Sequence, residues 1–502
     1  MMSDSKILDL LNPEAATLAV SAKGPKLPEV APVLPPPQCD TPAPEYPEKK
    51  PSESAAEDSS APSQSVRVES TENDSSTKES APKESVSPPS VPAKKPAKKS
   101  LTNKEVTDHT ASLWKYLPIP TDEPEPAPEY LQSDISLPGG RVIAARVRGK
   151  KHKHEGSNCD DWYEIANVDD VTFIAVSDGA GSKKFSRIGA RESCRASVGY
   201  LVNAYGKMTV ENPAIRDALK QELSSAACME ACGKIASLVQ NSVIQAWEAV
   251  EAAFYSRATN PAYSKLLKRN LDLKDLSGTL LVAAIIPLFK ETKEHLIVTC
   301  QVGDGMIVSI NSKGAFQASV KLLGVPDSGD FSGETEFLTA SQMKTLEALQ
   351  KRTKLSRGVV DTVMLMSDGV ADDYFPNETQ MRRLYFDLLV NGVIEMDSKP
   401  SDLSKLSPKE MSIFKRIPDP IIYPWVNDKS VTVPIQYTNR ICEAMGISLE
   451  ELWDDRSILG LASLEVKDAV QSSDAGERLR IWLDNYYERG SFDDRTLVVI
   501  RL

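Results

Sequence analysis

The chain has 502 residues, 26% of them charged, and a formal net charge of −12. Such acidity argues against a nucleic-acid binder, which needs a basic surface to meet a polyanion. No apolar run reaches the ~18 residues needed to span a bilayer, and Met1–Leu11 is too polar for a secretory signal, so a cytoplasmic protein without a membrane span is expected.

Roughly two thirds of the 34 prolines fall before Leu131, among Ser, Glu, Lys and Ala. A segment of that composition cannot bury enough apolar surface to offset its conformational entropy. Residues 1–130 are therefore expected to form a disordered tail, and residues 131–502 one large domain. Within the tail, Ile7-Leu8-Asp9-Leu10-Leu11 has the form of a short partner-docking peptide. The basic cluster Lys94–Lys99 reads as solvated linker.

From Arg141 the chain alternates as a strand does, with Val142 and Ala144 on one face and Ile143, Ala145 and Val147 on the other. Gly149–Glu155, GKKHKHE, reads as a basic hairpin. Lys151, Lys153 and His154 are its candidates for attracting a phosphate, and a plain solvated turn fits the stretch as well. Asn158-Cys159-Asp160-Asp161-Trp162 then offers a carboxylate pair. Val171–Val176 is a β-branched, apolar run that ends in Ser177-Asp178-Gly179-Ala180-Gly181, a sharp turn on a rigid support.

A lone Asp-Gly is usually only a turn. Here the pattern recurs. Leu296–Val302 ends in Gly303-Asp304-Gly305, and Thr362–Met366 ends in Ser367-Asp368-Gly369, with Asp372 four residues on. Ser491-Phe492-Asp493-Asp494-Arg495-Thr496 directly precedes a closing strand, Leu497–Ile500.

Between these motifs the pattern is helical from Glu211 to Arg269, where Val243, Ala246, Trp247, Val250 and Phe254 make a core stripe. Cys228 and Cys232, four apart, read as small core residues, and seven cysteines without a dense framework suit a reducing compartment. Tyr374–Gln471 is expected to be a helical insertion broken by Pro418-Asp419-Pro420 and Pro424, with nothing catalytic in it. Leu479, Trp482, Leu483 and Tyr486 mark one more helix before the last strand.

Several carboxylates at strand ends, mostly without histidine or cysteine beside them, suit a hard cation such as Mg²⁺ or Mn²⁺ rather than zinc. None of the stretches fits the calcium loop, and GAGSKK fits neither the phosphate loop nor the dinucleotide fingerprint.

Taken in order, CDDW, AVSDGAGS, SGTL (Ser277–Leu280), QVGDG, GETEFLT (Gly333–Thr339), MSDGVADD and DDRT resemble the motifs of the metal-dependent protein phosphatases of type 2C, in their bacterial form. The resemblance covers Val142–Leu502. It implies an α+β fold, a four-layer α/β/β/α sandwich of two antiparallel sheets flanked by helices. It also implies a serine/threonine phosphatase acting on phosphorylated proteins, alongside a cognate kinase. Carried over motif by motif, Asp178 would bridge two Mg²⁺ or Mn²⁺ ions, with the Gly179 carbonyl as a further ligand. Asp368 and Asp493 would hold one ion, Asp161 would orient water, and Asp304 and Asp372 would belong to a third, weaker ion. Asp160 and Asp161 are candidate metal ligands as well, Asp160 standing where the family has glutamate, and Asp494 is expected on the solvent side of Asp493. Pro326–Gly333 falls where the family carries a mobile flap. The phosphate-gripping arginine that many members place four residues before the first carboxylate is Gly156 here. The alternative is therefore a catalytically weak or inactive relative serving as a regulatory, phosphoprotein-binding module.

Overall fold

The computed structural model describes residues 115–324, 336–374, 378–396, 402–424, 432–467, 474–485 and 492–502. The docking peptide expected at 7–11 and the flap expected at 326–333 lie outside these residues. Among the described residues no helix is long and apolar enough to cross a membrane.

The chain begins its sheets with the hairpin β1 (Tyr130–Leu137) and β2 (Gly140–Val147), followed by a short helix, α1 (Lys150–Glu155). Next come β3 (Trp162–Val168), β4 (Val171–Ser177) and the long helices α2 (Ser186–Glu211) and α3 (Ala226–Arg257). Six strands follow: β5 (Leu280–Phe289), β6 (Glu294–Val302), β7 (Met306–Ile310), β8 (Val320–Leu322), β9 (Thr353–Val359) and β10 (Thr362–Met366). After α4 (Glu378–Val390) come a second hairpin, β11 (Ile421–Pro424) and β12 (Thr432–Ile435), and the helices α5 (Ser457–Lys467) and α6 (Ala475–Asn485). The closing strand is β13 (Arg495–Arg501).

One sheet has the order β1-β2-β13-β10-β7-β8 and the other β3-β4-β5-β6-β9, with antiparallel pairing throughout. The strand alternation sorts the side chains into layers. Val142 and Ala144 of β2, Ile174 and Val176 of β4, and Val498 and Ile500 of β13 meet between the sheets. Ile143, Ala145 and Val147 point the other way, into a core shared with α4, α5 and α6. Phe173 and Ala175 face α2 and α3, whose Val243, Ala246, Trp247 and Val250 form the expected stripe. Strands buried on both faces are near-continuous apolar runs for this reason. The result is the four-layer α/β/β/α sandwich.

Three parts of the chain differ from expectation. Residues 115–129, read as the end of the tail, lie against the domain. Leu117 N–H donates to the Lys153 carbonyl at 2.7 Å. Buried Glu123 pairs with Arg187 (3.0 Å) and Lys184 (3.3 Å). Glu125 accepts from Arg191 and Arg257, each at 2.5 Å, and from the Tyr263 hydroxyl. Charge pairing and hydrogen bonds, not apolar burial, hold this segment. Second, the basic stretch after β2 is the helix α1 rather than a hairpin. Third, the stretch expected to be a helical insertion contains the hairpin β11–β12, and its helices supply the outer layer of the first sheet.

The register brings the strand ends of interest together. Trp162 stands opposite Ser177, Leu280 opposite Val302, and Met366 opposite both Met306 and Leu497. Asp161, Asp178, Asp304, Asp368 and Asp493 therefore leave their strands at one end of the sandwich.

Candidate metal centre

Asp178 follows β4 in a turn held to the start of β5. Its N–H donates to Thr279 Oγ1 at 2.9 Å, and its carbonyl accepts from Thr279 N–H at 2.8 Å. Ala180 N–H donates to the Ser277 carbonyl at 3.0 Å. Gly179 is required here for close approach, since a Cβ would lie 2.6 Å from the Asp160 carbonyl oxygen. The carboxylate thus sits on a support with little freedom. Asp178, Asp304 and Asp368 each offer an oxygen within 4.8 Å of the others. Beside them Asp161, fully buried, uses Oδ2 to accept from Ser367 Oγ (2.8 Å) and Thr496 Oγ1 (2.6 Å). Its Oδ1 is buried with no donor.

This crowding changes the acid strengths. Burial, then the charges of Asp368 and Asp161, pushes the Asp178 carboxyl well above its usual range. Asp368 is raised to about 8 by burial, then by Asp304, Asp161, Asp493 and Asp372. Burial and the charge of Asp494 raise Asp161 and Asp160 each to about 7. Asp372 is also raised, by burial and then by Asp304 and Asp373. A crowded, half-buried set of mutually repelling oxygens is satisfied either by protons or by a cation. The triad contains no imidazole or thiolate, and a donor-less Asp161 oxygen lies beside it, so the residues present fit Mg²⁺ or Mn²⁺.

Of the residues expected from sequence, Asp161, Asp178, Asp304, Asp368, Asp372 and Asp493 interact electrostatically as one group. Asp304, expected with a separate third ion, lies in the same triangle as Asp178 and Asp368. Gly179 bridges to Gly278 across the turn. Asp160 is set to one side, 4.0 Å from His152 Nε2. The candidates for phosphate attraction have other partners in the fold. Lys153 is buried and paired with Asp484 on α6, and His154 Nδ1 accepts from Lys115 N–H at 3.0 Å. Lys151 is half-buried, and its backbone N–H donates to the Phe492 carbonyl.

Asp494 overturns its expectation outright. It is 2% exposed rather than on the solvent side, and it accepts from Gly149 N–H (2.6 Å) and Asp160 N–H (2.5 Å). Burial works against its charge, but His152 and these N–H groups hold its carboxyl below the ordinary range. Sequence reading also gave no role to Ser367, Thr496 or His152. The two hydroxyls lie inside the SDG and DDRT motifs, where their neighbouring aspartates were the available signal.

A sequence model described as protein phosphatase 2C matches residues 148–400. No curated protein matches the chain. Among solved structures, the chain is similar to RsbX in complex with magnesium, at 11% identity over 74% of this chain and 100% of that one, with a TM-score of 0.27. It is similar to the serine/threonine phosphatase Stp1 from Staphylococcus aureus at 12% identity, over 74% and 98% of the two chains, with a TM-score of 0.32. A C. elegans sex-determining protein is similar at 13% identity, over 72% of this chain and 65% of that one, with a TM-score of 0.30.

Proposed function

The chain belongs to the protein phosphatase 2C family, and from that premise we propose that it is a metal-dependent protein serine/threonine phosphatase. The observation that carries this reading is the oxygen triad of Asp178, Asp304 and Asp368 with the donor-less Oδ1 of Asp161 beside it. Two Mg²⁺ or Mn²⁺ ions held by Asp178, the Gly179 carbonyl, Asp368 and Asp493, with a third at Asp304 and Asp372, would acidify water and neutralise the phosphate during in-line displacement.

The chain's own residues do the rest. Asp178 is presented by backbone bonds to Thr279, so no rotation of the turn is needed when charge develops. Asp161 keeps Oδ2 on the Ser367 and Thr496 hydroxyls, which leaves Oδ1 to accept a hydrogen bond from the attacking water and set its direction. The substrates are phosphoserine and phosphothreonine in proteins, with a cognate kinase as the source of the phosphate. The tail, through Ile7–Leu11, is the proposed docking element for a partner.

A second reading has one observation in its favour. Gly156, at the C-cap of α1, has no side chain to grip phosphate, and Lys153 is committed to Asp484. A phosphatase-like regulatory module would need no such grip. Phosphate release from a phosphothreonine peptide, with Mn²⁺ and with EDTA, separates the two.

A further inference from the structure

We propose that Asp494 and His152 form a buried clamp that positions the metal-binding carboxylates without ligating an ion, an inference that rests on the metal-dependent reading above. Asp494 ties together segments far apart in sequence. Its Oδ1 accepts from Gly149 N–H at 2.6 Å, and its Oδ2 accepts from Asp160 N–H at 2.5 Å and lies 2.9 Å from His152 Nδ1. His152 is itself 3% exposed. His152, Asp493 and Asp494, like Asp178, Asp304 and Asp368, each offer an atom within 4.8 Å of the others, but both oxygens of Asp494 are already engaged by backbone N–H groups.

The backbone of Asp494 is gripped as closely as its side chain. A Cβ at Gly149 would stand 2.6 Å from Asp494 N, and one at Gly369 would strike the Asp494 carbonyl. Gly369 follows Asp368, and Asp160 precedes Asp161. The Asp493–Asp494 peptide thus packs against Gly149 at the start of α1, and the Asp494 carbonyl against the turn that carries Asp368. His152 packs its ring against the same carboxylate, with Nδ1 at 2.9 Å from Oδ2, and so closes the clamp on the side of α1. Through Asp160 N–H it locates Asp161, through Gly369 it locates Asp368, and through the chain itself it locates Asp493.

The test uses the full chain with Asp494→Asn, His152→Gln and the double variant, and Mn²⁺ itself as the probe. Asp361→Asn is the control. Asp361 is also a buried carboxylate, accepting from the Thr362 hydroxyl (2.9 Å) and Arg501 (3.0 Å), but it lies at the far end of β10. Calorimetry reads affinity and stoichiometry, and thermal denaturation reads stability. Each clamp variant should weaken Mn²⁺ binding by about 10–100-fold, the usual cost of losing a partner behind the ligands, at unchanged stoichiometry. The double variant should cost little more than the worse single one, because both act on one unit. Asp361→Asn should lower Tm and leave affinity alone. Unchanged affinity in His152→Gln, the milder change if Asp494→Asn does not fold, would overturn the clamp. So would the loss of one bound ion, which would make these residues ligands, or an equal loss of affinity in Asp361→Asn. Wild-type protein that binds Mn²⁺ but releases no phosphate would refute the phosphatase reading alone, and the clamp would still be judged on variant affinities. Wild-type protein that binds no Mn²⁺ would overturn both.

Discussion

Replacing Asp178 with Asn should stabilise the metal-free protein while destroying its response to metal. Asp178 is half-buried beside Asp368 and the fully buried Asp161, and without a cation these carboxyls repel one another when ionised. Burial is the largest contribution to the Asp178 shift, and the repulsion is divided among several neighbours. Replacing one acid of this crowded set by a neutral amide should therefore return on the order of 1–2 kcal/mol, within the usual range for a buried polar group that lacks partners. For a domain of this size that is a rise in Tm of about 1–3 °C in EDTA.

The pH dependence has a definite sign. Asp368, at about 8 in the folded protein against an ordinary 3.8, takes up a proton on folding between those values. Stability of the EDTA-treated wild type should thus fall as pH rises from about 4 to about 8. Asp178→Asn should flatten that fall. Mn²⁺ should raise the wild-type Tm by mass action and barely move that of the variant, and turnover should drop by at least ~100-fold. Thermal denaturation across this pH range, in EDTA and in Mn²⁺, is the assay. A variant less stable than wild type in EDTA at pH 8, or one that gains as much from Mn²⁺, would refute the reasoning.

Two further predictions concern the segment that precedes β1. Hydrogen bonds from Arg257, then Tyr263 and Arg191, hold the Glu125 carboxyl down to about 2 although burial opposes them. A group depressed in this way stabilises the fold above its ordinary 4.5 and ceases to as pH falls through about 2. Glu125→Gln should therefore lower Tm at neutral pH, and the gap from wild type should close in acid; a gap that persists at pH 2 would mean that packing rather than charge is lost. Deleting residues 1–114 should leave Tm unchanged, whereas deleting 1–129 should lower it by stripping Arg187, Arg191 and Arg257 of their partners. Equal Tm values for the two deletions would show that residues 115–129 contribute nothing.

The legible parts of the chain were those where local pattern and tertiary role agree. Val171–Ser177 and Thr362–Met366 are buried on both faces, so apolar runs announced the strands and Asp-Gly announced their ends. The carboxylate group followed, because each member closes or opens such a strand. Asp494 was illegible because its partners, Gly149 and Asp160, lie more than 300 residues away, and nothing beside it marks burial. Residues 115–129 have the Pro/Glu composition of a linker, yet Glu123 and Glu125 meet arginines on α2 and α3. Composition counts apolar surface and is blind to such pairing. The hairpin β11–β12 was hidden for a similar reason, since Pro424 at the end of its first strand read as a breaker when it stands in a two-stranded edge.

The most direct measurement is release of inorganic phosphate from a phosphothreonine peptide by the full chain. Release is expected with Mn²⁺ or Mg²⁺, absent in EDTA, and restored when metal is returned. Metal bound at calorimetry with no release from any phosphopeptide or aryl phosphate would contradict a phosphatase and leave the regulatory module in its place.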